Sequence, residues 1–303
     1  MTDVTVVIPT YNGGDIWRQS VESILQQNLK PAKILVIDSS SADDTVLVAK
    51  NAGFNIKVID KSDFDHGGTR TLALKDVETE IVIFMTQDAI LDNECAFENL
   101  LKVFDNQSVS AAYGRQLPHY DANPLAIYAR ENSYGCESYV TSLSDDFPKG
   151  FRKAFMSNSF AAYRVADLNA LGGFPERLIL GEDSYFSAKA LMAEKSVAYV
   201  ADAIVRHSHN YKAIEEFKRY FDIGVFHSDQ SWMLDELGSA EGEGLRFAVG
   251  QIVFLIKRGE IRMVFSSALA SLAKYIGYKL GRGHAGIPLS LCRKMSMYKG
   301  YWQ

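Results

Sequence analysis

The chain has 303 residues, 47% of them hydrophobic and 23% charged, which matches an ordinary globular protein and excludes disorder or a fibrous repeat. Its three cysteines, Cys95, Cys136 and Cys292, lie far apart with no Cys-x-x-Cys pair, which excludes a disulfide framework and a thiolate zinc site and fits a reducing compartment. The net charge of −5 is unevenly spread: residues 245–303 hold ten Lys and Arg against one acid, Glu260, a net +9 that leaves −14 on residues 1–244. An acidic body with a basic tail predicts that the tail meets an anionic surface. Nucleic acid is a poor partner for such a chain, because the body is acidic and no binding motif is present.

In chain order, Val4–Ile8 reads as a buried strand, and it follows no basic leader, so the protein is expected to stay in the cytoplasm. Trp17, Val21, Ile24 and Leu25 then repeat at helical spacing behind the start signal Gly13-Gly14-Asp15. Ile34–Ile37 is a second strand ending at Asp38, Thr45–Ala49 a short helix, Ile56–Ile59 a third strand and Thr69–Val77 a helix. Ile81–Met85 is a fourth strand, ending in Thr86-Gln87-Asp88-Ala89. Residues 105–180 are less regular, with a strand over Val109–Tyr113 and a helix over Pro124–Asn132. Asp183–Ala193 reads as a helix and Ser196–Val200 as a strand. Strands alternating with helices predict βαβ units and a mostly parallel sheet.

In such sheets ligands bind beyond the carboxyl ends of the strands. Thr10, Asp38 and Asp88 fall there. Each alone is as well explained by a turn or a helix cap. Asp44 reads as a cap, and Asp43 fits a cap or a site residue equally.

The segments Pro9-Thr10-Tyr11-Asn12 and Asp38-Ser39-Ser40-Ser41-Ala42-Asp43-Asp44-Thr45 together resemble the nucleotide pocket of family 2 glycosyltransferases. Asp38, Ser41, Asp43 and Thr45 match that family's second strand end, and Ser39 replaces its second Asp. The resemblance implies that Pro9, Thr10, Tyr11, Asn12, Asp38 and Ser41 hold the nucleotide, with Asp38 accepting from the imide N–H of uracil or thymine. Phe64-Asp65-His66-Gly67-Gly68-Thr69-Arg70 lies between the third strand and the next helix and resembles the rhamnosyltransferase branch. There Gly67 and Gly68 would allow close backbone approach and Arg70 would offer a fork to phosphate. Gln87 stands where the family has a first metal-binding Asp, leaving Asp88 as the expected ligand of a divalent cation, Mg²⁺ or Mn²⁺. Substrate phosphates would supply further oxygens.

Leu171-Gly172-Gly173-Phe174-Pro175-Glu176 followed by Leu180-Gly181-Glu182-Asp183 resembles the family's Gly-Gly-Phe and Glu-Asp segments. The resemblance implies that Asp183, with Glu182 beside it, deprotonates the acceptor hydroxyl. Both are also first-turn acids that a helix dipole favours. In His207-Ser208-His209, residues two apart in an extended segment share a face, so either imidazole is a candidate metal or phosphate ligand, His207 ahead of His209.

The resemblance implies an α/β chain with the GT-A nucleotide-diphospho-sugar transferase fold over residues 1–225 and a basic, amphipathic helical extension over 226–303. It implies an inverting transfer of a sugar, foremost L-rhamnose from dTDP-L-rhamnose, onto a lipid-linked saccharide in bacterial surface polysaccharide synthesis of the O-antigen or capsule type. A UDP-hexose donor and a catalytically silent nucleotide-sugar-binding protein are the alternatives. Phe247–Ile256 and Met263–Ala273 are uncharged but too short to span a bilayer. They are expected either to lie on the cytoplasmic face of the inner membrane or to pack on the core.

Overall fold

A computed structural model describes residues 3–238 and 242–302; the N- and C-terminal ends of the expected spans, and residues 239–241, lie outside them. Nine strands form one mixed sheet: β1 (Val4–Thr10), β2 (Lys33–Asp38), β3 (Asn55–Val58), β4 (Ile81–Met85), β5 (Ile90–Leu91), β6 (Val109–Leu117), β7 (Tyr139–Thr141), β8 (Phe160–Arg164) and β9 (Ser196–Arg206). Their order is β3-β2-β1-β4-β8-β6-β9-β5, with β7 added beside β9. The N-terminal four run parallel, as the alternating pattern predicts, with Thr10 beside Asp38 at their carboxyl ends. β8 enters antiparallel between β4 and β6. Sequence periodicity does not find β8, because Phe-Ala-Ala-Tyr-Arg is buried on both faces and so shows no alternation.

The helices are α1 (Gly14–Leu25), α2 (Thr45–Asn51), α3 (His66–Ala73), α4 (Ala96–Leu101), α5 (Pro124–Ser133), α6 (Val165–Ala170), α7 (Glu182–Met192), α8 (Ala213–Asp229), α9 (Ser231–Leu237), α10 (Glu243–Lys257), α11 (Ile261–Arg282) and α12 (Leu289–Met295). They cover both sheet faces. Val7, Phe84, Tyr163, Phe174 and Phe186 fill one core, and Ile8, Trp17, Ile24, Ile83 and Phe97 the other. Neighbouring residues of β1 and β4 thus enter opposite cores, which is why these strands read as continuous apolar runs.

Two boundaries differ from expectation. The helix expected at Thr69 begins at His66, because Asp65 caps it by accepting from the Gly68 N–H at 2.6 Å. His66-Gly67-Gly68 is therefore the first helical turn rather than a loop. The second difference lies at the expected boundary after residue 225, which falls inside α8.

α8 and α11 pack through small residues. A Cβ on Gly281 would lie 2.0 Å from the Phe221 carbonyl oxygen, one on Gly277 2.3 Å from that of Phe217, and one on Gly224 2.4 Å from that of Tyr278. This approach brings the C-terminal residues back to the catalytic half, where Cys292 and Trp302 join the same core as Phe221.

Gly281→Ala should therefore force the two helices apart and destabilise the protein by roughly 1–3 kcal/mol, as overpacking does. Gly283→Ala, whose Cβ would meet nothing closer than 3.7 Å, should change little. Denaturant unfolding of the two variants checks this; equal stability would show that α8 and α11 are free to separate.

Candidate active site

The carboxyl ends of β1 and β4, α3 and the C-terminal segment Met297–Tyr301 surround a cavity of about 950 Å³. Pro9, Thr10, Tyr11, Arg70, Gln87 and Asp88 of the expected donor residues line it. Asn12, Asp38 and Ser41 stand behind that wall and tie the strand ends together. The Asp38 carboxylate is fully buried and accepts from the Thr10 hydroxyl at 2.9 Å, the Ser41 hydroxyl at 2.5 Å and the Ser41 N–H at 2.8 Å. Asp38, expected to meet the base, is thus engaged by its own chain. The Ser41 hydroxyl also accepts from the Asn12 N–H, and the Asn12 side-chain Oδ1 accepts from the Ala42 N–H.

Asp43 rather than Asp44 does the capping work. Its carboxylate accepts from the Thr45 N–H and hydroxyl and from the Gly14 N–H, which holds it below the ordinary carboxylate value. Asp44 instead pairs with Arg18.

Gln87 has a local explanation. Its Oε1 accepts from the Tyr11 N–H at 2.8 Å and its Nε2 donates to the Tyr11 carbonyl at 3.1 Å. An amide can satisfy both groups; a carboxylate is acceptor-only and cannot. Gln87 therefore holds the β1 loop in shape, and Lys61 caps the Tyr11 ring and donates to its hydroxyl.

The glycines and Arg70 also differ from expectation. A Cβ on Gly67 would lie 2.1 Å from the Pro175 carbonyl oxygen, so Gly67 admits the Gly-Gly-Phe loop. Gly68 closes the Asp65 cap. Arg70, although it borders the cavity, is buried and spends its charge on Glu182 at 3.0 Å, with a second bond to the His66 carbonyl at 2.8 Å.

Glu182 and Asp183 open α7, and a segment that sequence reasoning missed, Ser157–Ser159, organises both. The Asn158 side-chain amide donates to Glu182 Oε1 at 2.9 Å, its backbone N–H donates to Asp183 Oδ2 at 2.9 Å, and its side-chain Oδ1 accepts from the Tyr163 hydroxyl at 2.7 Å. Burial opposes ionisation of Glu182, but the Arg70 guanidinium, His66 and the Asn158 amide together outweigh it and hold that carboxyl low. Burial and the neighbouring Glu182 charge push the Asp183 carboxyl up to about 7, against the N–H groups of Asn158 and Ser184. The two acids so acquire different tasks: Glu182 is an ion-pair anchor, and Asp183 is a carboxylate with raised proton affinity.

Asp88, His207 and His209 converge. Nε2 of His207 and of His209 lie 3.4 and 3.9 Å from Asp88 Oδ2, and the ligand atoms of all three fall within 4.8 Å of one another. Gln116 donates through Nε2 to Ser157, so its Oε1 faces His207 Nδ1 at 3.0 Å and requires a proton there. His207 Nε2 is then the ring atom that faces the Asp88 carboxylate. Burial, and then His207, depress His209 to about 4, so that ring is neutral near pH 7. Burial works against ionisation of Asp88, but His207 and then His209 hold its carboxyl well below the usual range. Two imidazoles and a carboxylate make a donor set suited to a divalent cation, with the Gln116 contact orienting one of them. Ser159, next to Asn158, lies 3.5 Å from His207 Nε2, which places the acid pair and this cluster on either side of one short segment.

The model of glycosyl transferase family 2 matches residues 5–172. O-antigen chain rhamnosyltransferase WbaN of Salmonella anatum is 47% identical over 304 residues, covering 100% of this chain and 96% of that protein. This chain belongs to glycosyl transferase family 2. A further member, O-antigen chain rhamnosyltransferase RfbN of Salmonella typhimurium, is 48% identical over 301 residues, covering 99% of this chain and 96% of that protein. Among solved structures, the transferase superposes on the mannosyltransferase PcManGT of Pyrobaculum calidifontis, in complex with GDP-Man and Mn²⁺, with a TM-score of 0.59 at 18% identity, covering 100% and 87% of the two chains. TarS of S. aureus, in complex with UDP-GlcNAc, gives 0.53 at 16%, covering 93% and 92%. These likenesses show the GT-A fold.

Gln87→Glu, which restores an acid, should not create a better metal site in this transferase. It should set a carboxylate against the Tyr11 carbonyl, cost about 1–3 kcal/mol of stability and weaken nucleotide binding about tenfold. Thermal unfolding and calorimetry check this, and tighter nucleotide-free metal binding by the variant would show that the side chain swings to the cluster instead.

Proposed function

We propose that this glycosyltransferase moves L-rhamnose from dTDP-L-rhamnose onto a lipid-linked saccharide, with inversion, during O-antigen synthesis. The donor sugar is read from the near full-length likeness to the two O-antigen chain rhamnosyltransferases. The observation that carries the chemistry is the environment of Asp183, a fixed carboxylate with raised proton affinity. A silent nucleotide-sugar-binding protein has no use for such a base.

In the proposed reaction the acceptor hydroxyl oxygen attacks the anomeric carbon as the bond from that carbon to the diphosphate oxygen breaks. Asp183 takes the hydroxyl proton, and the nucleoside diphosphate leaves with the bonding electrons. Glu182, Arg70 and Asn158 hold Asp183 in place through the contacts above. Asp88, His207 and His209 would hold Mg²⁺ or Mn²⁺, which when bound offsets the negative charge of the donor diphosphate. Pro9, Thr10, Tyr11 and Gln87 form the donor wall, shaped from behind by Asn12, Asp38 and Ser41.

Asp183→Asn keeps shape and loses proton affinity, so transfer should fall by ~10²-fold or more while donor binding stays near wild type. A base must be deprotonated to act. With its pKa raised, transfer should therefore rise with pH through about 7 rather than reach its plateau near the ordinary Asp value. The pH profile of kcat/KM tests both points; a normal rate in the variant would remove Asp183 as base.

The same reading has the protein working at the cytoplasmic face of the membrane. Among the described residues no helix is long and apolar enough to cross a bilayer. α10 and α11 instead leave apolar stripes in solvent: Leu245, Val249, Val253 and Ile256 on one, and Ile261, Phe265, Leu269, Leu272, Ile276 and Leu280 on the other, with Phe265 78% exposed. Exposed Lys257, Arg258 and Arg262 adjoin them at the α10–α11 turn. Apolar faces edged by cations suit an anionic bilayer surface. Lys274 does not belong to that edge, since it turns inward to Glu216 at 3.1 Å.

Replacing Lys257, Arg258 and Arg262 with Gln should remove the salt-sensitive part of vesicle co-sedimentation. Phe265→Gln should reduce the part that survives high salt. Unchanged co-sedimentation of both folded variants would contradict membrane association through this face.

A further inference from the structure

A second cavity, of about 650 Å³, lies on the outer side of the C-terminal segment, lined by Leu289, Ser290, Arg293, Lys294, Lys299 and Trp302. Lys299 lines both this cavity and the donor cavity, so a single turn, Lys299–Tyr301, separates the two. That turn is held rigidly. The Asp222 carboxylate accepts from the Met297 and Tyr298 N–H groups at 2.9 and 3.1 Å, the Tyr298 hydroxyl donates to the Phe64 carbonyl at 2.9 Å, and Trp302 is buried against Phe221. The wall between the cavities is therefore part of the folded core.

The charge of the outer cavity is one-sided. Residues 284–302 contain Arg293, Lys294 and Lys299 and no acid. None of the three cations enters an ion pair among the described residues, whereas nearby His284 and Tyr301 both engage Asp229. Three unneutralised cations converging on one concavity repel one another and form a receptor for a multiply charged anion. Leu289, Leu291 and Met297 stand exposed beside them. The pocket thus offers cations next to an apolar rim, at the edge of the cavity where the sugar donor sits.

We propose that Arg293, Lys294 and Lys299 form a binding site for the phosphate or diphosphate that joins the acceptor saccharide to its lipid. This rests on the lipid-linked acceptor read above and deepens it. Such an acceptor has a sugar at one end, an apolar chain at the other and the anionic junction between them. The outer cavity takes the junction, its apolar rim takes the start of the chain, and the sugar reaches inward past Lys299 toward the donor. Arg293 supplies a planar fork and the lysines supply point charges, a set that suits clustered phosphate oxygens.

The test uses the whole protein with Arg293 and Lys294 both replaced by Gln, since these line the outer cavity and not the donor cavity. The probes are a short-chain isoprenyl diphosphate bearing one sugar, the same sugar on a neutral alkyl chain, inorganic diphosphate, and vesicles of phosphatidylglycerol with phosphatidylethanolamine. The variant should bind the sugar diphosphate about tenfold or more weakly, with inorganic diphosphate competing in the wild type only. Its affinity for the neutral glycoside and for nucleoside diphosphate should stay within about twofold, and its thermal stability should be unchanged. Arg293→Lys should retain most of the binding. Undiminished affinity of the double variant for the sugar diphosphate overturns the site. So does loss of vesicle binding alone, which would make the pocket a phospholipid headgroup site. If the variant loses inorganic diphosphate but the wild type glycosylates only saccharides without a phosphate link, the anion site stands and the lipid-linked reading fails.

Discussion

The buried contact between Arg70 and Glu182 is the constraint on which the rest of the site depends. Taking two charges out of water is costly, and breaking such a pair by removing one partner costs about 3–5 kcal/mol. The chain meets that cost with further hydrogen bonds: the His66 carbonyl takes a second guanidinium proton and the Asn158 amide donates to the carboxylate. Because Arg70 sits on α3 and Glu182 opens α7, the pair locks these two helices together beside the donor cavity, which Arg70 borders. Asp183 follows Glu182 directly, so its direction is set by a neighbour that cannot move. The ionised Glu182 also sustains the raised proton affinity that a base acting near neutral pH requires.

Asn158 and Ser159 extend this constraint across the sheet. They precede β8, the strand inserted antiparallel between β4 and β6. β8 thereby carries the acid pair's anchor to within hydrogen-bonding reach of His207 at the end of β9 and near Asp88 at the end of β4. Gln116 on β6 completes the arrangement by bonding both Ser157 and His207. Base and cation cluster are thus coupled through short turns fixed at the ends of neighbouring strands.

The C-terminal helices have two roles. Their small residues press α11 against α8 at backbone distance, and this returns residues 297–301 to the donor cavity. Their other faces carry large apolar side chains in water, framed by cations. One amphipathic unit thus completes the cavity on its inner side and leaves an apolar face edged by cations in solvent on its outer side. The basic character that the tail shows as a whole divides between these roles: Lys274 goes to the fold, and Arg293, Lys294 and Lys299 go to a pocket.

Local signals in the sequence already determined the parallel half of the sheet, the helices beginning near Gly14, Thr45, Pro124 and Asp183, and the presence of polar groups at the ends of β1, β2 and β4. Those features arise from apolar runs, spacing and turn chemistry within a few residues, so they survive in one dimension. The motif residues Glu182, Asp183 and Asp88 were legible through the resemblance of their segments to family motifs, and His207 through its place in a His-x-His pair. Their partners were not. Asn158 lies in an unremarkable Ser-Asn-Ser, β8 is buried on both faces and has no period, and Tyr298 reaches Phe64 across 234 positions. The structural partners of Asp38, Gly67 and Arg70 also appeared only with their surroundings, because a carboxylate, a missing Cβ or a guanidinium acts on whatever the fold sets within about 3 Å of it. Residue type and spacing set which chemistry was available; the choice between binding a substrate and binding the protein itself was made by tertiary contact, since each buried polar group must find a partner and takes the one that folding brings nearest.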